Sequence, residues 1–199
     1  MRFSIAALAA SVMVAAAFVG GAAPARASFI GAEMTASYQY PTLGSIYGQA
    51  SWTPTTFTVG GGVETVGNVE NVTSIAVNFA SSSLSILLTT VLGNPDPTWL
   101  SSAFNGPVFT ATGPLGIAGV SVNAATTMAG FDASRVTFTG NTLRIDWNGL
   151  SYTSGTAVAL DFTFVPVAVP EPASFALLGA GLLTLGAVAR RRRNKGAAI

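Results

Sequence analysis

Few side chains in this sequence could move a proton or hold a metal. Its 199 residues include no histidine and no cysteine, which removes imidazole general bases, thiol nucleophiles, disulfides and zinc sites of the usual Cys/His kind. Between Ser28 and Val169 the remaining candidates are seven carboxylates: Glu33, Glu64, Glu70, Asp96, Asp132, Asp146 and Asp161. Two facing carboxylates can hydrolyse a glycosidic bond, but no spacing pairs any two of these, and several alternate with apolar residues on what reads as an outward strand face. Calcium is the metal that hard oxygens of this kind would take, from Asn94 with Asp96, or from Asp132, Asp146 and Asn148. Asp146-Trp147-Asn148-Gly149 opens like an EF-hand loop but lacks the later ligands and the closing Glu. Gly60-Gly61-Gly62 is not followed by the Lys-Ser/Thr of a phosphate cradle. No catalytic residue, metal ligand or cofactor is designated, and the chain reads as a non-enzyme.

Charge divides the chain into three regions. The stretch from Ser28 to Val169 has two cations, Arg135 and Arg144, against the seven acids, a net charge of −5, so the overall +1 belongs to the ends. At the N-terminus Arg2 precedes an apolar run from Phe3 to Val19, and Ala25-Arg26-Ala27 sets small residues at alternate positions, as signal peptidase requires. Residues 1–27 read as a Sec signal peptide cut between Ala27 and Ser28, with Ala22 and Ala23 offering an earlier cut; the Sec translocon and signal peptidase are the implied partners. At the other end Pro170-Glu171-Pro172 precedes 17 uncharged residues, Ala173 to Ala189, and then Arg190, Arg191, Arg192, Arg193 and Lys195. A helix over 173–189 would be about 25 Å long, slightly short of the hydrocarbon core, and snorkelling arginines can make up the difference. Residues 190–199 read as a basic cytoplasmic tail that stops transfer and leaves the body across the membrane. Cations abutting an apolar span do not form a nucleic-acid patch.

The series Val169-Pro170-Glu171-Pro172-Ala173-Ser174, then Phe175 to Leu183, then the arginine run resembles the PEP-CTERM sorting signal of Gram-negative bacteria. That resemblance implies an exosortase partner, an integral-membrane cysteine transpeptidase that recognises Pro170, Glu171 and Pro172, cuts nearby, and supplies the catalytic residues itself. It implies a periplasmic body held briefly at the inner membrane, then a place at the cell surface or in the extracellular matrix, in the company of exopolysaccharide and biofilm. Independently of the resemblance, prolines on either side of Glu171 fix φ twice and push the residues before them toward extended conformation, keeping residues 166–172 a linker.

Residues 28–165 must then be the folded domain, and they read as strands. Val136 and Phe138, then Gly140-Asn141, then Leu143, Ile145 and Trp147 form a hairpin pattern with Arg144, Asp146 and Asn148 on the opposite face. Val158, Leu160, Phe162 and Phe164 form one strand face, ending before Pro166. Ile75, Val77 and Phe79 pair in pattern with Leu84, Ile86 and Leu88 across Ser81-Ser82-Ser83. Further strands are expected over Ala32 to Tyr40, Thr55 to Val59, Pro107 to Thr110 and Val120 to Asn123, and one short helix over Thr98 to Phe104. The expectation is an all-β, antiparallel two-sheet sandwich, jelly-roll or immunoglobulin-like, between a signal helix and a transmembrane helix. Trp147, Phe138, Phe162 and Phe164 are expected in its core.

Two other functions have a sequence basis. A carbohydrate-binding module would use exposed rings such as Tyr38, Tyr40, Tyr47 or Trp52, and alternation puts Tyr38 and Tyr40 on one face. An ice-binding or adhesin-like body is the other alternative; an ice-binding surface would need a repeated Thr-x-Thr ridge, and Thr56-Phe57-Thr58 and Thr137-Phe138-Thr139 are two instances without a fixed period, which argues against it.

Overall fold

The computed structural model describes residues 28–93 and 95–166. Ala27, Asn94, Pro170-Glu171-Pro172, the segment 173–189 and Arg190 to Arg193 lie outside them, and with these the readings of signal peptide, sorting motif, membrane helix and basic tail. Among the described residues no helix is long and apolar enough to cross a membrane.

The chain runs through β1 (Glu33–Gln39), β2 (Ala50–Thr53), β3 (Thr56–Thr58), β4 (Thr65–Val69), β5 (Thr73–Phe79), β6 (Ser83–Thr90), β7 (Gly106–Ala111), β8 (Ile117–Val122), β9 (Val136–Thr139), β10 (Thr142–Ile145) and β11 (Ala157–Phe164). The first sheet has the order β3-β1-β7-β10-β9 and the second β2-β4-β5-β6-β11-β8. Every pairing is antiparallel. This is the two-sheet sandwich that the alternation predicts, including the β5–β6 and β9–β10 hairpins.

Alternation buries one face of each central strand: Met34, Ala36 and Tyr38 on β1, Ile75, Val77 and Phe79 on β5, Leu84, Ile86 and Leu88 on β6, and Val158, Leu160 and Phe162 on β11. These residues belong to one continuous core. Rings join the sheets across it. Phe79 meets Phe109 edge to face at 5.2 Å, and Trp52 meets Phe109 at 5.9 Å. At roughly 25 cal/mol per Å² of apolar area, each buried ring contributes several kcal/mol.

Three expectations are corrected. Thr98 to Phe104 is not a helix: Trp99 N–H donates to Leu150 O (2.9 Å), Tyr152 N–H to Pro97 O (3.0 Å), and Thr98 forms a bridge with Ser151. The backbone groups that a helix would pair locally are satisfied by the 147–152 segment, because this pairing buries Trp99 against Trp147 and Tyr152. The helical turn is instead a 3-10 turn at Ala133–Arg135, capped by Asp132. Trp147 and Phe162 are buried as expected, whereas Phe138 and Phe164 are half-buried at the core margin, Phe138 because β9 is an edge strand. The expected strands omit β2 and β4, which pair with each other. On β4 the inward positions are Thr65, Gly67 and Val69, and a β-carbon on Gly67 would come within 2.9 Å of the Trp52 ring.

The sandwich has two unlike ends. Phe29 N–H bonds Ser81 O, Phe162 N–H bonds Ser82 O, and Val165 N–H bonds Gly116 O. Ser28 and Pro166, the two ends of the described body, therefore leave from the same pole. At the opposite pole lie the end of β1, the β4–β5 turn, the end of β6, and the chain on either side of Trp99 and Trp147. β11, with 8 residues, separates the two by roughly 25 Å.

Candidate functional site

At the pole opposite the chain ends, a cleft of about 130 Å³ opens between Tyr40, Tyr47, Glu70, Leu92, Thr98 and Leu100, over a floor that includes Tyr38, Trp99, Asn105 and Tyr152. The floor is fixed by hydrogen bonds between aromatic side chains. Trp147 Nε1 donates to the Tyr38 hydroxyl (2.8 Å), which donates to Asn105 Oδ1 (2.7 Å). Asn105 Nδ2 continues to Leu100 O (2.9 Å). Trp99 is stacked between Trp147 (5.3 Å) and Tyr152 (4.5 Å), whose hydroxyl shares a 2.8 Å bond with Thr73. The polar tips of Tyr38, Trp147 and Tyr152 thus have partners, the condition under which Tyr and Trp can be buried cheaply. The exceptions are Trp52 Nε1 and Trp99 Nε1, buried without a partner among the described residues.

Gly106 allows this floor to form. A β-carbon there would lie 2.0 Å from Ile145 O, so any other residue would push β7 off β10 just where Asn105 and Trp147 converge.

The walls are arranged differently. Tyr40 and Tyr47 meet edge to face at 5.4 Å and are only half-buried. Their separation in sequence is spanned by a loop in which Tyr40 N–H bonds Ser45 O and Tyr47 N–H bonds Tyr38 O. The Tyr47 hydroxyl donates to Glu70 Oε1. That bond, aided by desolvation, raises the Tyr47 pKa to about 12. Burial pushes the Tyr38 phenol well above its ordinary range against the opposing pull of the Trp147 bond, and burial also raises Tyr152. All three stay neutral donors at physiological pH.

Glu70 sits at φ 54° and Asn71 at φ 57°, the two central residues of the β4–β5 turn closed by Val72 N–H to Val69 O (3.0 Å). Two consecutive left-handed residues match the twist of a two-residue hairpin. Asn tolerates this backbone; Glu does so at a cost of about 1 kcal/mol or more. The strained position aims the carboxylate at Tyr47.

The sugar-binding expectation is half corrected. Tyr38 and Tyr40 do share a face and a cleft, but Tyr38 is 2% exposed and Trp52 is 8% exposed and outside it, so neither ring offers a platform. Glu70, Leu92 and Leu100 join the site unannounced by sequence, since turn register and an extended 97–105 segment bring them there.

Four of the remaining carboxylates have structural work. Glu64 accepts from Gly60 N–H (3.2 Å) and Phe79 N–H (2.8 Å), pinning the glycine loop. Asp146 accepts from Asn105 N–H (3.0 Å) and Asn148 N–H (3.1 Å). Asp132 accepts from Ser134, which holds its carboxyl below the usual range. Asp161 accepts from Asn123 (2.8 Å). Among the described residues no three carboxylates gather as a metal site. Ser28, the expected first mature residue, opens the described body and accepts from Ile30 N–H (3.1 Å).

Strand register also builds a feature on the outer face of the first sheet. Thr56, Thr35, Thr110, Thr142 and Thr139 are successive cross-strand partners, so one row of threonines crosses all five strands. The two Thr-x-Thr segments of the sequence are its ends.

The decisive comparison concerns the tail. Residues 168–193 match the family model of the PEP-CTERM protein-sorting motif. The chain carries a PEP-CTERM sorting signal. A PEP-CTERM signal marks an exported protein, sorted by an exosortase-like membrane protein and anchored transiently at the membrane. The PEP-CTERM match begins at residue 168 and does not include the described body, residues 28–166. No curated protein and no solved structure matches the chain.

Proposed function

We propose that residues 28–166 are a non-enzymatic module of the cell surface or extracellular matrix that associates with exopolysaccharide. The observation that carries this reading is polarity: both ends of the body leave one pole, and the open aromatic cleft is at the other. Only three residues separate Pro166 from Pro170, so a membrane tether on the PEP-CTERM side presents the cleft outward. Five of the seven carboxylates are already committed, Glu64, Asp132, Asp146 and Asp161 to caps, loops and turns and Glu70 to Tyr47, which leaves little for acid–base chemistry.

Fractionation of the producing cells tests it. The product is expected in the surface or matrix fraction, co-eluting with exopolysaccharide and, by mass spectrometry, lacking Arg190 to Arg193. Deleting the exosortase leaves the full chain in the inner membrane. A wild-type product that keeps Arg190 to Arg193, or that elutes free of polysaccharide, overturns the reading.

The threonine row favours a second reading. Hydroxyls and methyls repeated at an interstrand spacing of about 4.8 Å form a regular surface on which water can order. Ice binding by this face predicts thermal hysteresis that Thr110→Lys abolishes, and a full chain without hysteresis removes it.

A further inference from the structure

We propose that the cleft is a saccharide site that takes one uncharged or amino-substituted pyranose ring and discriminates against uronic acids. The proposal rests on the exopolysaccharide reading for the source of the sugar and on the cleft itself for the chemistry.

The surfaces that a ligand meets are of two kinds. Tyr40 and Tyr47 present ring faces and edges, and Leu92 (44% exposed) and Leu100 (65% exposed) extend the apolar wall into solvent. Between them lie oxygen groups: Glu70, the Thr98 hydroxyl, which shares a 2.7 Å bond with the Ser151 hydroxyl, and the Tyr40 side chain. A pyranose has this same division, with C–H bonds on its faces and hydroxyls around its rim, whereas a purely apolar ligand would strand the oxygens. Trp99 is covered on both faces and supports the walls without offering a stacking surface.

Charge sets the selectivity. Among the described residues Glu70 is the one charged side chain lining the cleft. Its Oε1 is taken by Tyr47, which leaves Oε2 to accept from a sugar hydroxyl or ammonium. The two cations of the body are elsewhere: Arg135 donates to Asn148 O (3.0 Å) and Arg144 to the Thr139 hydroxyl (3.1 Å). Among the described residues no guanidinium or ammonium therefore lines the cleft to receive a ligand carboxylate, and a uronic acid would meet the charge of Glu70 there.

The test uses the full chain in a zwitterionic detergent free of sugar head groups. Methyl glucoside, methyl glucosaminide and methyl glucuronide are titrated in turn by ligand-observed NMR, at a pH near 7. The glucoside and glucosaminide are expected to bind, and the glucuronide at least about tenfold more weakly. Glu70→Gln should close most of that gap by strengthening glucuronide binding, an effect that loss of folding would not produce, and near-ultraviolet circular dichroism checks the fold. Leu100→Ala, at an exposed position, should weaken all three ligands about fivefold. Equal binding of the three, binding of none, or Glu70→Gln and Leu100→Ala variants indistinguishable from the parent would overturn the site. If no ligand binds while the native product still co-elutes with exopolysaccharide, the cleft assignment alone fails. If the cleft binds as expected but the product elutes free of polysaccharide, the matrix reading alone fails.

Discussion

The two poles of the sandwich are both aromatic, and they use their rings differently. At the pole where the chain enters and leaves, Phe29 packs edge to face against Phe79 (5.2 Å), Phe162 (5.0 Å) and Phe164 (5.1 Å), with no polar atom among the four rings. At the cleft pole the rings are Tyr38, Tyr40, Tyr47, Trp99, Trp147 and Tyr152, and hydrogen bonds tie Tyr38, Tyr47, Trp147 and Tyr152 to one another or to Asn105, Thr73 and Glu70. Phenylalanine fills space and asks for nothing else. Tyrosine and tryptophan are buried at least cost where their polar tips find partners, and a network of such partners holds rings in fixed places beside an opening that phenylalanines would close. The first pole closes the body where the tether begins; the second keeps a shaped cleft open.

The largest effect is expected at the phenylalanine pole. Phe79→Ala removes a fully buried ring that touches Phe29, Phe57 and Phe109, and should destabilise the fold by about 4 kcal/mol in denaturant unfolding. A variant that survives folding should keep its cleft chemistry, because no ring of the network is touched. An equal loss of cleft binding would show that the poles are coupled. Next is Tyr38→Phe, isosteric apart from one oxygen. It strands Trp147 Nε1 and Asn105 Oδ1 in the core, for a loss of about 2 kcal/mol, and it should disturb the cleft more than Phe79→Ala does.

What the sequence disclosed follows the same division. Alternation identified β1, β5, β6, β10 and β11, since in each the inward residues are mostly large and apolar and the outward ones mostly small or polar, with Leu87 on β6 the exposed exception. It was silent on β2 and β4, where Thr65 and Gly67 face inward. Thr65 can do so because its hydroxyl bonds Pro54 O (2.6 Å), and Gly67 because the Trp52 ring lies over it; both are tertiary facts that no local pattern encodes. The cleft was legible as Tyr38, Tyr40 and Tyr47, of which alternation placed only the first two together. Glu70 could have been suspected from Val69-Glu70-Asn71-Val72, a polar dipeptide between β-branched residues, which is a hairpin signal without the usual glycine. Leu100 and Asn105 could not, because their segment is held extended by partners some fifty residues away.

Alkaline titration separates the poles by chemistry. Tyr38, Tyr47 and Tyr152 all have native pKa values above 10, so the native state binds protons that the unfolded chain releases near pH 10. The stability that they contribute is complete below pH 10 and is lost as pH rises through 10 toward their native values. Denaturant midpoints should be flat from pH 7 to 9 and fall above 10, with a shallower fall in Tyr38→Phe. The phenylalanine pole contributes no slope, so an alkaline fall unchanged in Tyr38→Phe would place its origin outside the network.

The smallest effect isolates the contact between Tyr47 and Glu70. The Tyr47 pKa of about 12 is owed first to its hydrogen bond with Glu70 and only then to desolvation and charge repulsion. Glu70→Gln keeps a side chain of the same length on the same turn while removing the negative charge, so the Tyr47 midpoint should move back toward 10 in an ultraviolet titration of the phenolate. Stability should change little, because the pair is exposed and the substitution leaves the left-handed backbone in place. Glu70→Gly makes the complementary cut: it relieves the φ of 54°, deletes the acceptor, and should lower the Tyr47 midpoint at least as far, with folding stability unchanged to within about 1 kcal/mol. If Gly lowers the midpoint and Gln does not, the acceptor oxygen rather than the charge sustains the shift, and a neutral ligand hydroxyl could then replace Glu70 at Tyr47 without disturbing the wall.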